Sequence, residues 1–278
     1  MTKIGMLYLC TGRYNVFWPD FYHSFREKFL TDCDREFFVF TDAPHIEGES
    51  DPAVHRIPQQ AYDWPYSTLR RFSVFLSQEK VLRDFDYLFF FNANLVCSKP
   101  ITSQEFLPRP ALGENLLLVQ QPGFWDKTPP FFSYERRRCS TAYVPYNCGS
   151  AYVTGGLNGG TARAFLTMCR VLESRTEEDL HNGVIAIWHD ESQLNRYVAE
   201  RRDYRLLSPA YWYPEGWRMP FDPKIIVRNK ARFIDVGAVK HQTIQPQSLP
   251  ARKWEAFRQN YLPYLCCLRD TVLRRKLK

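Results

Sequence analysis

The chain has 278 residues, 45% of them hydrophobic and 16% aromatic, so it can bury a full core as one large α/β domain with a tail. Its 37 Lys and Arg against 30 Asp and Glu give a net charge of +7, which favours acidic partners such as nucleotides, phosphates or anionic lipid. The basic residues are scattered until the C-terminal tail and form no recognition motif, so nucleic acid is not an expected partner.

The cysteines and the N-terminus indicate the compartment. The eight cysteines form no Cys-x-x-Cys pair and no zinc-type spacing, which is typical of reduced, mostly buried thiols. Met1–Thr11 lacks a basic lead before an apolar stretch, and the chain has no run of about 18 apolar residues. We therefore expect a cytoplasmic protein that neither enters secretion nor spans a membrane.

The start of the chain has a strand pattern and then a helix pattern. Ile4–Cys10 is a short apolar run typical of a buried strand, and the turn-forming residues Thr11–Arg13 end it. The helix that follows has Pro19 near its start. A phenylalanine recurs at every fourth position on one face of this helix, which predicts core packing for Phe17, Phe21, Phe25 and Phe29.

Strand and helix patterns go on alternating along the chain, and this alternation predicts a largely parallel sheet. Apolar runs predict strands at Phe37–Thr41, Tyr87–Phe91, Leu116–Gln120, Tyr152–Thr154 and Arg205–Leu207. Helical periodicity predicts helices at Ser67–Arg83, Ala162–Arg175 and Ser192–Glu200.

The pattern weakens from about Asp222, and we expect a main domain over residues 1–245 and a tail over residues 246–278. The tail carries aromatic side chains first and basic side chains last. Such an end can lie on an anionic membrane, here the inner face of the cell membrane, or it can dock on its own domain. Pro263 breaks any single helix through the tail.

Amide side chains follow directly after the predicted strand Tyr87–Phe91. Ligands of open α/β sheets bind at the carboxyl ends of strands, which is where Asn92, Ala93 and Asn94 fall. Many nucleotide-sugar transferases carry two aspartates here that hold a divalent ion against the donor diphosphate, whereas neutral amide oxygens are weak ligands. We therefore expect no metal cofactor, and a plain Asn turn is the alternative.

Without a metal ion, positive side chains must stabilise the charge that grows on a departing nucleotide. Arg71, on the predicted helix before the Asn turn, is one candidate for this role. Lys230 and Lys240, in the C-terminal region, are the others.

The segment Trp188-His189-Asp190-Glu191-Ser192 places two acids ahead of a predicted helix. Asp190 or Ser192 could simply cap that helix, with Glu191 in its first turn. A carboxylate beside an anomeric carbon can instead act as a nucleophile or stabilise an oxocarbenium-like transition state.

Four glycines follow the predicted strand Tyr152–Thr154, in what we expect to be a passage from strand to helix. Glycine lets the backbone approach a ligand closely and leaves room at a pocket wall for an extra substituent. The spacing matches neither a Walker loop nor a dinucleotide fingerprint, and a tight turn without ligand contact is the alternative.

Together these segments resemble glycosyltransferase family 6, the family of the ABO blood-group transferases and α-1,3-galactosyltransferases, and most closely its bacterial branch. The resemblance spans about Lys3 to Phe221. It rests on seven words in the same order: Phe-Val-Phe-Thr-Asp (38–42), Asp86-Tyr87-Leu88 leading to Asn92-Ala93-Asn94, Pro122-Gly123-Phe124, Tyr134-Glu135-Arg136-Arg137, Gly155-Gly156, Trp188-His189-Asp190-Glu191-Ser192 and Leu207-Ser208-Pro209.

The resemblance implies a GT-A type fold, with a central, mostly parallel twisted sheet flanked by helices. It implies a retaining transferase that moves N-acetylgalactosamine or galactose from a UDP donor in α-1,3 linkage to a terminal galactose, often one that bears α-1,2-fucose. Glu191 then corresponds to the carboxylate proposed as nucleophile or acceptor-positioning group, and Asp190 to the acid that binds donor-sugar hydroxyls.

The resemblance also assigns the remaining donor residues. Tyr14 resembles the tyrosine near the uridine and Arg71 the arginine near the donor sugar, while the two asparagines replace metal-binding aspartates. Thr154, Gly155 and Gly156 lie where the family selects its donor. The small Gly156 would leave volume for an acetamido group, so UDP-N-acetylgalactosamine is the expected donor ahead of UDP-galactose.

Acceptor contacts are expected from Trp188, His189, Tyr213 and Glu191. Gln121 is a further expected contact, although a histidine commonly stands there in the family. The main alternative is a protein of the same fold that binds a carbohydrate or nucleotide sugar without catalysis, but the presence of both acids argues against it. Another alternative is a galactose-specific transferase whose metal ion is held by diphosphate and water.

Overall fold

The computed structural model of the protein describes residues 1–240 and 261–275, without the side chains of residues 239 and 240. A seven-stranded sheet lies at its centre, in the strand order β3-β2-β1-β4-β7-β6-β8. The strands of this sheet are β1 Lys3–Leu9, β2 Asp34–Thr41, β3 Val54–Pro58, β4 Tyr87–Phe91, β6 Leu116–Gln120, β7 Val153–Thr161 and β8 Tyr204–Leu207. A smaller sheet of order β5-β10-β9 contains β5 Leu95–Cys97, β9 Tyr213–Pro214 and β10 Ile225–Val227.

The predicted α/β class with a mostly parallel sheet is confirmed. Within the seven-stranded sheet, strands β1 to β4, β6 and β8 form parallel pairs, and β7 runs antiparallel to both β4 and β6. In the smaller sheet, β10 is parallel to β9 and antiparallel to β5. The helices are α1 Trp18–Lys28, α2 Tyr66–Leu69, α3 Arg71–Leu76, α4 Glu79–Leu82, α5 Ser103–Phe106, α6 Ala162–His181, α7 His189–Val198, α8 Val236–Lys240 and α9 Leu262–Val272.

Successive residues of the sheet point to opposite faces, which gives a core on each side. On one face, the phenylalanines of α1 pack against Phe91, with ring centroids of Phe25 and Phe91 5.0 Å apart. On the other face, α3 and α6 cover Phe90, whose ring lies 5.2 Å from that of Phe75. The core prediction for α1 is confirmed, because each member of its phenylalanine stripe is at most 2% exposed: Phe17, Phe21, Phe25 and Phe29.

The predicted single helix over Ser67–Arg83 is wrong, because three short helices occupy that range. Arg70 ends α2 with a ψ of 1°, outside the helical region, and the helical path resumes at Arg71. The helix expected at Ser192–Glu200 begins earlier, at His189, so both acids of the segment lie in its first turn.

The glycine-rich segment is strand β7, and the expected strand-to-helix passage at this point is wrong. A Cβ on Gly159 would stand 2.1 Å from a ring carbon of Phe89, and one on Gly160 would stand 2.3 Å from the carbonyl oxygen of Asn115. Two neighbouring strands therefore press so closely on β7 that a side chain does not fit there. The tight turn without ligand contact is equally ruled out for this segment.

Helix α9 lies against the body of the protein, and Pro263 stands in its first turn, where a missing N–H is tolerated. The expected boundary between residues 245 and 246 lies outside the described residues. Across the described part of the chain, no helix combines the length and the apolar character that a membrane crossing requires.

Candidate active site

A cavity of about 450 Å³ opens at the carboxyl ends of β1 and β4. Because β7 is antiparallel to β4, the start of β7 reaches the same edge, and the N–H of Asn92 donates to the carbonyl of Gly156 over 2.8 Å. The first turn of α7 closes one side of the cavity and the 3₁₀ turn Lys230–Arg232 reaches another. This is the sheet edge at which the sequence predicts ligand binding.

Two walls of the cavity differ in chemistry. The acid wall consists of Gly155, Asp190 and Glu191, from β7 and α7. The amide wall consists of Asn92 and Ala93, with Tyr14 and Lys230 beside them. Twelve of the residues predicted from the sequence line the cavity: Tyr14, Arg71, Asn92, Ala93, Thr154, Gly155, Gly156, Trp188, His189, Asp190, Glu191 and Lys230.

Glu191 is held by two donors at fixed positions. The Tyr152 hydroxyl donates to Oε1 over 2.8 Å, and the N–H of Gly155 donates to Oε2 over 2.8 Å. Burial raises the pKa of Glu191 to about 7, although both hydrogen bonds act to lower it. A cavity-facing carboxyl with this pKa can change its charge near neutral pH.

Asp190 is 6% exposed and forms an ion pair with Arg71, which is itself 8% exposed. Burial raises the pKa of Asp190, and the guanidinium of Arg71 opposes that rise. Arg71 also stacks over the ring of Phe90, with its guanidinium carbon 4.4 Å from the ring centroid. Phe90 therefore holds the ion pair from the core, and both Arg71 and Asp190 also line the cavity.

The predicted N-cap role of Asp190 or Ser192 is wrong, because Trp188 is the N-cap residue of α7 and its side chain makes no capping hydrogen bond, whereas the expected place of Glu191 in the first turn is confirmed. The Ser192 hydroxyl instead accepts a hydrogen bond from the N–H of Trp188 over 3.0 Å. His189 has a φ of 52°, in the left-handed region, and its ring lies 4.8 Å from that of Trp64, edge to face. The backbone thus enters α7 through a strained residue at the cavity, a feature common at ligand sites.

A buried carboxylate anchors the segment that leads into α7. Glu135 is 2% exposed and accepts a hydrogen bond from the N–H of Ile187 over 2.9 Å. Its partner Arg137 also donates to the carbonyl of Ile185 over 2.6 Å. The Trp188 indole N–H donates to the Ser133 hydroxyl over 2.7 Å, so the loop before α7 is held at three places.

The glycines of the acid wall allow close packing. A Cβ on Gly155 would stand 2.9 Å from the Cβ of Glu191, so glycine lets α7 approach β7. A Cβ on Gly156 would stand 2.1 Å from Cη2 of Trp212. The expectation that Gly156 leaves free volume for a substituent is therefore wrong, because the indole of Trp212 fills that space.

The amides at the end of β4 are engaged with protein groups. The Asn92 amide donates to Oδ1 of Asn94 over 2.9 Å, and the Asn94 amide donates to the carbonyl of Arg228 over 2.6 Å. Asn94 is 3% exposed and does not line the cavity. The pair thus ties the end of β4 to the turn after β10, which carries Lys230.

These residues do not fit a divalent cation. Mg²⁺ and Mn²⁺ favour sites with carboxylate ligands, and the two amides bond to each other and to the backbone instead. The two carboxylates of the cavity are already held, one by Arg71 and the other by Tyr152 and Gly155. Within residues 1–240 and 261–275, no group of three or more His, Cys, Asp or Glu side chains is placed to hold a metal ion.

Positive charge reaches the amide wall through Lys230. Its ammonium group lies 5.0 Å from the ring centroid of Tyr14, a cation–π arrangement between two cavity residues. Burial raises the pKa of Tyr14, so this phenol stays neutral near pH 7.

Three other predicted site residues lie elsewhere. Asn94 is buried behind the amide wall, and the Gln121 side chain accepts a hydrogen bond from the N–H of Gly123 over 2.6 Å. The Tyr213 hydroxyl accepts from the N–H of Met219 over 3.0 Å and donates to the carbonyl of Trp217. None of the three lines the cavity. The side chain of Lys240 falls outside the description.

Sequence reasoning missed Tyr152, Trp64 and Trp212 as site residues. Tyr152 is 1% exposed and lies 39 positions before the carboxylate that it contacts, so only the folded chain joins them. Trp64 and Trp212 line the cavity from segments without a motif. The high aromatic content was the one sequence signal that pointed towards them, since flat rings suit sugars and nucleobases.

Comparison with known proteins identifies the class. The family model described as Glycosyltransferase family 6 matches residues 1–239. The chain is 35% identical to the O-antigen biosynthesis glycosyltransferase WbnI of Escherichia coli, over 85% of this chain and 99% of that protein.

Two animal proteins are more distant relatives. Globoside alpha-1,3-N-acetylgalactosaminyltransferase 1 of Homo sapiens is 29% identical, over 80% of this chain and 64% of that protein. Histo-blood group ABO system transferase 2 of Rattus norvegicus is 28% identical, over 88% of this chain and 72% of that protein. The α/β fold, the cavity at the sheet edge and these matches define a glycosyltransferase. The chain belongs to glycosyltransferase family 6.

Proposed function

We propose that the protein transfers N-acetylgalactosamine, or galactose, from its UDP-sugar to a galactose-containing acceptor that bears α-1,2-fucose. The new bond is α-1,3, the anomeric configuration is retained and no divalent metal takes part. The observation that carries this proposal is the arrangement of Glu191 beside the Asp190–Arg71 pair, at the mouth of a cavity that also contains Lys230.

The acid wall supplies the chemistry at the sugar. Asp190, held by Arg71, accepts hydrogen bonds from donor-sugar hydroxyls. Glu191 places a carboxylate against the anomeric carbon, where positive charge develops as the bond to UDP lengthens. A covalent glycosyl-enzyme and a front-face attack both rely on this charge. The hydrogen bonds from Tyr152 and Gly155 hold the carboxylate ready before the sugar arrives.

The amide wall serves the leaving group. The ring of Tyr14 offers a flat face to the uracil, and the ammonium of Lys230 beside it approaches the diphosphate. Asn92 offers its amide side chain to the ribose or diphosphate in place of a metal ligand. When substrate expels water from the site, this fixed positive charge stabilises the departing diphosphate. A metal ion has that role in metal-dependent transferases.

The choice of N-acetylgalactosamine is supported by the human relative, which is named as an alpha-1,3-N-acetylgalactosaminyltransferase. It no longer rests on Gly156, because Trp212 fills the volume above that residue. A Gly156→Ala variant would have to displace the indole, so its effect on donor choice would act through Trp212.

The test is a donor and acceptor screen in excess EDTA. UDP-N-acetylgalactosamine and UDP-galactose are each offered to a plain galactoside and to its α-1,2-fucosylated form, and NMR of the product reports linkage and anomer. We expect α-1,3 product on the fucosylated acceptor, formed about 10²–10³-fold more slowly by Glu191→Gln. Activity that disappears in EDTA and returns with Mn²⁺ would overturn metal independence. Tight UDP-sugar binding without turnover on any acceptor would favour the non-catalytic alternative.

A further inference from the structure

Helix α9 presents a continuous apolar stripe to solvent. Its members recur at intervals of four, three and four residues, which places them on one face of the helix. Each is more than half exposed, at 64%, 58%, 65% and 71%: Tyr261, Leu265, Leu268 and Val272. A row of large exposed apolar side chains on a folded helix indicates an interaction surface.

The opposite face of α9 fixes the helix in this orientation. Asp270 is fully buried, and its Oδ2 accepts a hydrogen bond from the N–H of Tyr146 over 3.0 Å. Arg275 donates to Oδ1 of the same carboxylate over 2.8 Å. Beside the stripe, the ring of Tyr264 is 60% exposed and lies 4.5 Å from that of Phe131, edge to face. Turning the stripe inward would expose these contacts and strip the carboxylate of its partners, so the stripe stays outward.

The charge around the stripe is positive. Asp270 is the single acid among residues 261–278, and it is buried, whereas the same stretch contains Arg269, Arg274 and Arg275 followed in sequence by Lys276 and Lys278. Arg269 and Arg275 both pair with Asp270, and the side chain of Arg269 is still 50% exposed. Arg274 is exposed as well. Basic side chains around an exposed apolar stripe match the pattern of interfacial helices that bind anionic lipid.

We propose that α9 docks the protein onto an anionic membrane surface. The stripe enters the boundary between headgroups and acyl chains, and the exposed side chains of Arg269 and Arg274 contact lipid phosphates. The helix has 11 residues and is therefore about 16 Å long. A strip of this length offers much less than the roughly 800 Å² per partner that a stable protein interface buries, whereas a membrane needs no minimum contact area.

The surface is separate from the cavity. Helix α9 rests on the 3₁₀ turn Pro129–Phe131 and on Tyr146 and Asn147, none of which lines the cavity. Changes on its outer face should therefore alter membrane binding without altering transfer to a soluble acceptor. This separation makes the proposal independent of the donor and acceptor proposed above.

The test is sedimentation of the full chain with vesicles. Phosphatidylcholine vesicles with about one-third phosphatidylglycerol are compared with pure phosphatidylcholine vesicles at low and high salt. We expect at least tenfold tighter binding to the anionic vesicles, weakened by salt. The stripe variant Leu265→Gln/Leu268→Gln/Val272→Gln should bind at least tenfold more weakly, with transfer to a soluble acceptor within about twofold of the unaltered chain.

A matched control changes exposed apolar residues elsewhere, in Val81→Gln/Leu112→Gln, which are 49% and 67% exposed in the unaltered chain. This control should bind vesicles like the unaltered chain. Equal binding to neutral and anionic vesicles, or full binding by the stripe variant, would overturn the proposal. So would a solution dimer that the stripe variant converts into a monomer, because the stripe would then serve self-association.

Discussion

The acid wall and the amide wall lie across one cavity, but their polar groups are fixed in different ways. On the acid wall, both carboxylates line the cavity. Glu191 accepts hydrogen bonds from Tyr152 and Gly155, and Asp190 pairs with the guanidinium of Arg71. At the amide wall, Asn92 donates to Asn94 behind it, and Asn94 donates to the backbone carbonyl of Arg228. The difference teaches that the negative charge of the cavity is fixed by its neighbours, whereas the end of β4 carries no charge and the nearby positive group is Lys230. In the proposed function, Lys230 therefore serves the diphosphate.

The largest expected effect follows from neutralising the acid wall. Glu191→Gln keeps the shape but removes the charge beside the anomeric carbon, so kcat should fall by about 10²–10³-fold. UDP binding, measured by calorimetry, should change little because the proposed nucleotide site is at the amide wall. A kcat within about threefold of the unaltered enzyme would remove Glu191 from the chemistry.

The same substitution should change the pH dependence of stability. The pKa of Glu191 is raised from its usual 4.5 to about 7 by burial, so between those values the native state keeps a proton that the unfolded chain releases. The free energy of unfolding should therefore fall as pH rises from about 4.5 to 7, by about 1–3 kcal/mol relative to Glu191→Gln. Denaturant titrations of both chains at pH 5 and pH 8 measure this difference.

The next effect concerns the ion pair that supports Asp190. Arg71→Met leaves a buried carboxylate without its partner and should lower the free energy of unfolding by about 3–5 kcal/mol. Arg71→Met/Asp190→Asn should recover most of that loss, because no buried charge is left unpaired. Activity should stay low in both variants. Thermal melts report the change in stability, and rate measurements report the loss of activity. A double variant as unstable as Arg71→Met would show that Arg71 acts through packing on Phe90.

A smaller effect tests how the carboxylate is positioned. Tyr152→Phe removes a hydrogen bond that lowers the pKa of Glu191, so this pKa should rise and the acid limb of the rate profile should move to higher pH. The rate at pH 7 should fall roughly tenfold. Tyr134→Phe is the matched control, since that hydroxyl is buried nearby but donates to the carbonyl of Ala151. An acid limb that stays in place in Tyr152→Phe would contradict this role.

The smallest effect concerns donor choice. Trp212→Leu frees volume above Gly156 and should raise the kcat/KM ratio of UDP-N-acetylgalactosamine to UDP-galactose by about three- to tenfold. Trp125→Leu, which removes an indole packed on Phe221 outside the cavity, should leave the ratio unchanged. An unchanged ratio in Trp212→Leu would show that the indole does not limit the space at the sugar.

The sequence predicts the local parts of this structure well. The strands at Tyr87–Phe91 and Leu116–Gln120 are confirmed to the residue, because short apolar runs bounded by polar residues have few other solutions in a buried sheet. The sequence does not predict strand β3, Val54–Pro58, because only Val54 in it is buried and its apolar and polar residues do not alternate regularly. The sequence predicts a passage between elements at the glycine-rich strand, because the need for glycine there comes from neighbouring strands that meet it only in the folded chain.

The site residues likewise divide into those that a local motif predicts and those that only the folded chain brings together. Asp190 and Glu191 stand out because two acids share one short segment, and the structure brings them to the cavity. The hydrogen bond from Tyr152 and the indole of Trp212 could not be foreseen, because each depends on segments that meet only in the folded chain. The direction of the Asn94 side chain is likewise set by a carbonyl 134 positions away.

Strand β7 constrains how the protein can adapt to other sugars. A side chain added at position 155 would meet Glu191, one at position 156 would meet Trp212, and one at position 159 would meet Phe89. Randomising these positions alone would return mostly misfolded chains, because every added side chain meets an occupied space. The substrate range is easier to change through the residues that pack on β7. Trp212 has to be replaced by a smaller residue before Gly156→Ala can be accommodated. A laboratory selection for a new sugar should therefore change residue 212 first and the glycines of β7 afterwards.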